Sequence, residues 1–108
     1  MKKSVKKRKF LANAKTGLYV TNIGKISLKN NQHCTIQFLK KENEICAMNW
    51  GMYATSSINK RLKNQGCLTL LTENMYKKKF VMIVDKKKKS LFNKYCKKEK
   101  IKILKIIR

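Results

Sequence analysis

Between residues 5 and 84 short apolar runs recur with a period of two, and after Asp85 the apolar spacing changes to three and four. A period of two places alternate side chains on opposite faces of a strand, so the first four fifths of the chain predicts strands. Residues 5–11 form a basic first strand, and 13–17 (Asn-Ala-Lys-Thr-Gly) form a turn by composition. Residues 18–28 follow with Val20, Ile26 and Leu28 on one parity and Gly24 in the middle, where a glycine marks a bulge or a close backbone approach. After the polar turn at 29–32, residues 34–40 alternate Cys34, Ile36 and Phe38 against Thr35 and Gln37. Residues 41–43 turn the chain, and 44–49 return it with Ile45, Ala47 and Met48 facing inward. The stretch 50–58 is apolar without a clean period, either a strand continuing around Gly51 or an ordered loop. Residues 59–65 carry Lys60, Arg61 and Lys63 at the surface, and the strands 67–72 and 79–84 are joined through a hairpin connection at 73–78.

From 86 to about 105 the pattern predicts one helix. Leu91, Phe92, Tyr95 and Cys96, then Ile103, Ile106 and Ile107, fall on one stripe with lysines opposite. Asp85 stands before its first turn, where a carboxylate accepts a backbone N–H and opposes the positive helix end. Strands first and one closing helix predict a single mainly-β domain over 1–108. About seven antiparallel strands would form a two-sheet sandwich or small barrel, its open end covered by Leu91, Phe92 and Tyr95 of the helix.

Charge narrows the partner. The chain has 28 Lys+Arg against five Asp+Glu, a net charge of +23 over 108 residues. Such a surface repels itself and calls for a polyanion, an acidic protein or an anionic membrane. Only Arg8, Arg61 and Arg108 are arginines, and lysine is a hydrated point charge, less suited than arginine to bidentate reading of bases. The remaining composition mostly excludes. The five acids, Glu42, Glu44, Glu73, Asp85 and Glu99, are not paired at an acid–base spacing, and no nucleophile motif surrounds His33. No phosphate-cradling glycine motif occurs, so a non-enzymatic protein is expected, with no cofactor. Cys34, Cys46, Cys67 and Cys96 lack the close pairing of zinc ligands and read as reduced thiols. The basic start is not followed by an apolar run long enough for a signal peptide, and no run of 18 apolar residues exists, so an intracellular chain without a membrane span is expected.

Four segments in order resemble the Ran-binding domain family. Asn22-Ile23-Gly24-Lys25-Ile26-Ser27-Leu28-Lys29 is similar to its G-x-G-x-[VL]-x-L-[LK] segment. Residues 36–49, ending Ile45-Cys46-Ala47-Met48-Asn49, are similar to its next strand pair; 66–71 correspond to a further strand, and 81–95 to the last strand and helix. The nucleoporin type is the nearest in pattern. Where many members carry Trp and Arg-Gly, this chain has Leu18, Thr21 and Asn22. The resemblance implies a pleckstrin-homology-like fold and a module that binds GTP-bound Ran, a nuclear-transport GTPase, through a basic face receiving Ran's acidic C-terminal tail. It implies Lys25, Lys29, Lys40, Lys41, Lys60, Arg61 and Lys63 as that face, with Leu18, Asn22, Gly24 and Asn49 as motif positions. It also implies a place in the nucleus, at the nuclear pore among importins and pore proteins, or in the cytoplasm. The cluster Lys6-Lys7-Arg8-Lys9 fits a nuclear import signal.

Two other readings stand beside it. Aromatics interspersed with lysines (Tyr19, Phe38, Trp50, Tyr53, Tyr76, Phe80) suit an RNA-binding or ribosomal β protein that stacks bases and contacts phosphate. Of these, Trp50, Tyr53 and Tyr76 are expected at the surface and Phe38 and Phe80 in the core. A related pleckstrin-like domain with an aromatic groove for a proline-rich peptide is the third reading.

Overall fold

The computed structural model describes residues 2–4 and 7–108, with side chains from residue 7 onward. Val5 and Lys6, at the start of the expected first strand and of the import-signal cluster, lie outside the described residues. The chain is mainly β, with 52% of residues in strands; among the described residues the strands form antiparallel sheets and one α-helix lies near the C-terminus. It divides into two compact units, residues 1–36 with 44–55 and residues 37–43 with 56–108.

The first unit is built from short ribbons. β1 (Lys2–Ser4) pairs with β4 (Lys25–Ser27), and β2 (Arg8–Asn13) with β3 (Leu18–Asn22). The expected single strand over 18–28 is therefore two strands with different partners. The break sits at Ile23–Gly24, where Gly24 takes a φ of 143° and Asn22 Oδ1 accepts the Gly24 N–H at 2.9 Å. The 13–17 turn forms as expected, its Asn13 Oδ1 accepting the Lys15 N–H and its carbonyl the Gly17 N–H. β5 (Gln32–Phe38), β6 (Lys41–Met48) and β7 (Gly51–Ala54) form a three-stranded meander. The ambiguous stretch after Met48 thus returns as β7, through a two-residue turn at Asn49–Trp50 with Met48 opposite Gly51.

The turn between β5 and β6 falls at Leu39–Lys40, two residues before the expected 41–43. Both residues have positive φ, 48° and 61°, the pair of left-handed conformations that matches a two-residue hairpin to strand twist. Neither residue is the usual Asn or Gly. Each left-handed L-residue costs about 1–2 kcal/mol, so contacts elsewhere must hold this tip in place. The tip, residues 37–43, belongs to the second unit.

The second unit holds every fully buried residue described. β8 (Cys67–Glu73) is its central strand, flanked by β9 (Lys79–Asp85) and β10 (Lys102–Ile107). Leu70, 1% exposed, Cys67 and Val84 bury with Leu62 of the Ile58–Leu62 helical turn and Cys96 of α1 (Lys89–Glu99). That helical turn is wide, closed by Leu62 N–H on the Ser57 carbonyl, with the Ser57 hydroxyl accepting the Arg61 N–H.

The C-terminal segment departs from expectation. Asp85 does cap, its Oδ1 accepting the Lys87 N–H at 3.0 Å. The helix, however, ends at Glu99 rather than near 105, with Lys100 in the left-handed conformation at φ 56°. Residues 102–107 are β10, antiparallel to β8, with Ile106 opposite Leu70. Four isoleucines in seven residues (101, 103, 106, 107) explain the switch, since β-branched side chains lose rotamer freedom in a helix and pack well on a pleated surface. The buried helical stripe is also rotated from the one expected. Cys96 and Glu99 are buried and Phe92 half-buried, whereas Leu91 is 57% and Tyr95 39% exposed. Leu91, Phe92 and Tyr95 line an open groove with Leu39 and Met82.

Candidate functional site

The seven basic residues expected to form one face divide between the units. Lys25 and Lys29 lie exposed in the first. Lys40, Lys41, Lys60, Arg61 and Lys63 belong to the second, where the hairpin tip meets the end of the Ile58–Leu62 turn. Gln65 makes that junction. Its Oε1 accepts the Glu42 N–H at 2.8 Å, and its Nε2 donates to the Glu42 carbonyl at 2.9 Å. One amide thereby satisfies both backbone groups of Glu42, as a neighbouring strand would.

Two of the five cations are engaged within the protein. Lys41 Nζ donates to the Gln65 carbonyl and stands 3.8 Å from Asp85 Oδ2, both side chains largely buried. Arg61 Nη2 lies 3.7 Å from Glu42 Oε2. Lys40, Lys60 and Lys63 are exposed. Lys41 is thus a structural cation, which the sequence could not reveal because its partners are 24 and 44 positions away. Replacing Gln65 by Ala leaves the half-buried Glu42 N–H and C=O without those bonds and should cost about 1–3 kcal/mol, read from the urea midpoint.

Of the motif positions, Leu18 is half-buried, Asn22 exposed, Gly24 at the β3–β4 break and Asn49 in the β6–β7 turn. All four lie in the first unit.

The aromatic residues give a different picture. Trp50, 69% exposed, stacks on Tyr53 with ring centroids 5.9 Å apart and planes 22° from parallel. On the β2–β3 ribbon Lys9 Nζ sits 5.1 Å over the Tyr19 ring, and the Arg8 guanidinium 5.7 Å from the Phe10 centroid. Phe10 is opposite Val20 and Leu11 opposite Tyr19, and all four are exposed. Each face of this ribbon therefore carries a cation against an aromatic ring. The first unit contains no fully buried residue among those described, so these rings form surface rather than core. The expected exposure of Trp50, Tyr53 and Tyr76 is observed. Phe80, expected in the core, is exposed near the start of edge strand β9, whose buried end is Val84 and Asp85. Phe10 was not singled out by the sequence, although Arg8-Lys9-Phe10-Leu11 gives each strand face one cation and one apolar group, the mark of a ribbon without a core side.

His33 Nε2 lies 3.0 Å from Glu44 Oε2, which fixes the ring on the β5–β6 hairpin. No group of three or more His, Cys, Asp or Glu that could hold a metal ion occurs among the described residues, and no helix among them is long and apolar enough to cross a membrane.

All four cysteines are free thiols. Burial pushes the thiols of Cys67 and Cys96 up from their ordinary range; beside Cys67, Lys41 opposes that shift and Asp85 adds to it. The folded chain then keeps these protons where unfolded thiols, near about 8.5, release them. Stability should fall as pH rises above that value and be insensitive to these groups below it. Urea midpoints at pH 7.5 and 9.5 test this, and the drop should shrink in Cys96→Ala.

No family model, curated protein or solved structure matches this chain.

Proposed function

We propose that this chain is a non-enzymatic RNA-binding module that takes single-stranded RNA on the open surface of its first unit. The Trp50–Tyr53 stack carries this reading. Exposed aromatic rings cost solvation unless they have a partner, and every nucleobase offers a flat apolar face to them. An acidic peptide needs only lysines and leaves such rings unused. The Lys9–Tyr19 and Arg8–Phe10 pairs add charge beside a ring, the arrangement that neutralises phosphate next to a stacked base. Because lysine dominates and arginine is scarce, the binding is expected to tolerate many sequences.

A second reading has its own support. Lys40, Lys60 and Lys63 stand exposed where the hairpin tip and the helical turn meet in the second unit, and with Lys25 and Lys29 they match the cations implied by the Ran-binding resemblance. On that reading the acidic tail of GTP-bound Ran is the ligand, and the place of work is nuclear transport.

One binding experiment separates the two. Fluorescence anisotropy with a labelled oligouridylate should show saturable binding to the full chain, weakening with salt at a log–log slope of about −0.7 per neutralised phosphate. Duplex RNA of equal length should bind more weakly, since its bases are not free to stack. Preference for GTP-loaded over GDP-loaded Ran, lost on deleting Ran's acidic tail, with no RNA binding, would replace the first reading by the second.

A further inference from the structure

We propose that the second unit carries a binding site for a small amphipathic anion, a carboxylate or phosphate monoester on a compact apolar or aromatic body. The site is the cleft between the Ile58–Leu62 turn, the first half of β8 and the end of β10, with a volume of about 290 Å³. This is close to the lower end of ordinary small-ligand pockets, about 300 Å³, and suits one ring with its charged group.

Its lining divides by chemistry. Ile58, Leu68 and Ile106 supply apolar surface, and Lys63, Lys86 and Arg108 supply cations. No Asp or Glu lines it. Asp85, adjacent in sequence to Lys86, is committed to Lys41 and to the Lys87 N–H, so it does not neutralise the cleft. A second observation lies in the wall. Thr69 is one of the lining residues, and its hydroxyl is buried without a hydrogen-bond partner among the described residues. That hydroxyl has no exposed surface, so it lies behind the cleft wall and is not itself a contact for the anion, whose charge is met by Lys63, Lys86 and Arg108. The wider groove along α1 offers a useful contrast, being lined by Leu39, Met82, Leu91 and Tyr95 with Lys88 and Asp85 as its charged residues. It suits apolar surface, not an anion. Apart from Lys63, none of the cleft residues takes part in either surface described above, so the site stands independently of the RNA reading.

The test is a titration of the 15N-labelled full chain with phenyl phosphate and, in a second arm, benzoate, which tells phosphate from carboxylate. Saturable shifts are expected at the amides of Leu68, Thr69, Lys86 and Ile107. Phenol, which lacks the charge, and inorganic phosphate, which lacks the apolar body, should each bind about tenfold or more weakly, the size of one lost charged or apolar contact. The double variant Lys63→Glu, Lys86→Glu alters two exposed side chains, so its spectrum should stay dispersed while phenyl phosphate affinity falls by about tenfold or more. Three results overturn the proposal: shifts centred on Leu39 and Tyr95, equal binding of inorganic phosphate, or no saturation by either aromatic anion.

Discussion

Replacing Asp85 by Ala should destabilise the chain by about 3–5 kcal/mol. Two losses combine. Lys41, whose side chain is 16% exposed, would keep its charge in a largely buried place without its carboxylate partner 3.8 Å away. The Lys87 N–H at the start of the terminal helical segment would lose its acceptor, a cap normally worth about 0.5–2 kcal/mol. Burying charge is costly chiefly when one partner is removed, so the paired change Lys41→Met with Asp85→Asn should recover much of the loss. Urea unfolding of the parent and the two variants measures this. An Asp85→Ala midpoint within error of the parent would mean that Lys41 finds enough compensation in the Gln65 carbonyl alone.

The same node shows what a sequence can and cannot declare. The capping role of Asp85 was readable, because a cap is a local event: a carboxylate, then a lysine-rich segment of helical period. The ion pair with Lys41 was not, since it depends on the hairpin tip reaching the Ile58–Leu62 turn. The turn at 13–17 and the β8–β9 hairpin were readable from alternation and turn residues. The helix end was misread for a physical reason. Ile103, Ile106 and Ile107 satisfy a helical stripe by spacing, yet their branching favours the strand, and pairing with the buried strand β8 decides the matter. On α1 the expected stripe holds at Cys96, which is buried, and in part at Phe92, but Leu91 and Tyr95, placed inward for their size and apolarity, are exposed and Glu99 is buried in their stead. The exposed rings at Trp50 and Tyr53 are legible in the sequence, and the alternation Arg8-Lys9-Phe10-Leu11, with a cation on each face, marks Phe10 as surface too.

Trp50→Ala and Tyr53→Ala should each weaken oligouridylate binding by about 1–3 kcal/mol, or about 5- to 150-fold, the usual range for loss of one base–aromatic contact. Their sum should fall short of the double variant's loss or exceed it, because the two rings stack on each other at 5.9 Å and so are not independent. Both rings are exposed and outside the buried core, so urea midpoints should stay within about 0.5 kcal/mol of the parent. Lys9→Ala should reduce affinity less and flatten the salt slope by about one neutralised charge. Lys40→Glu with Lys60→Glu should leave RNA affinity nearly unchanged if binding resides in the first unit. A large loss there, with Trp50→Ala silent, would move the ligand to the basic junction of the second.

Trp50 is the chain's single tryptophan, so its emission reports on one place. Titrating the protein with oligouridylate at low salt while following that emission tests the stacking claim directly. Saturable quenching that tracks anisotropy and reverses on adding salt is the predicted result. RNA that binds by anisotropy while Trp50 emission stays unchanged, or RNA that does not bind at all, would contradict it.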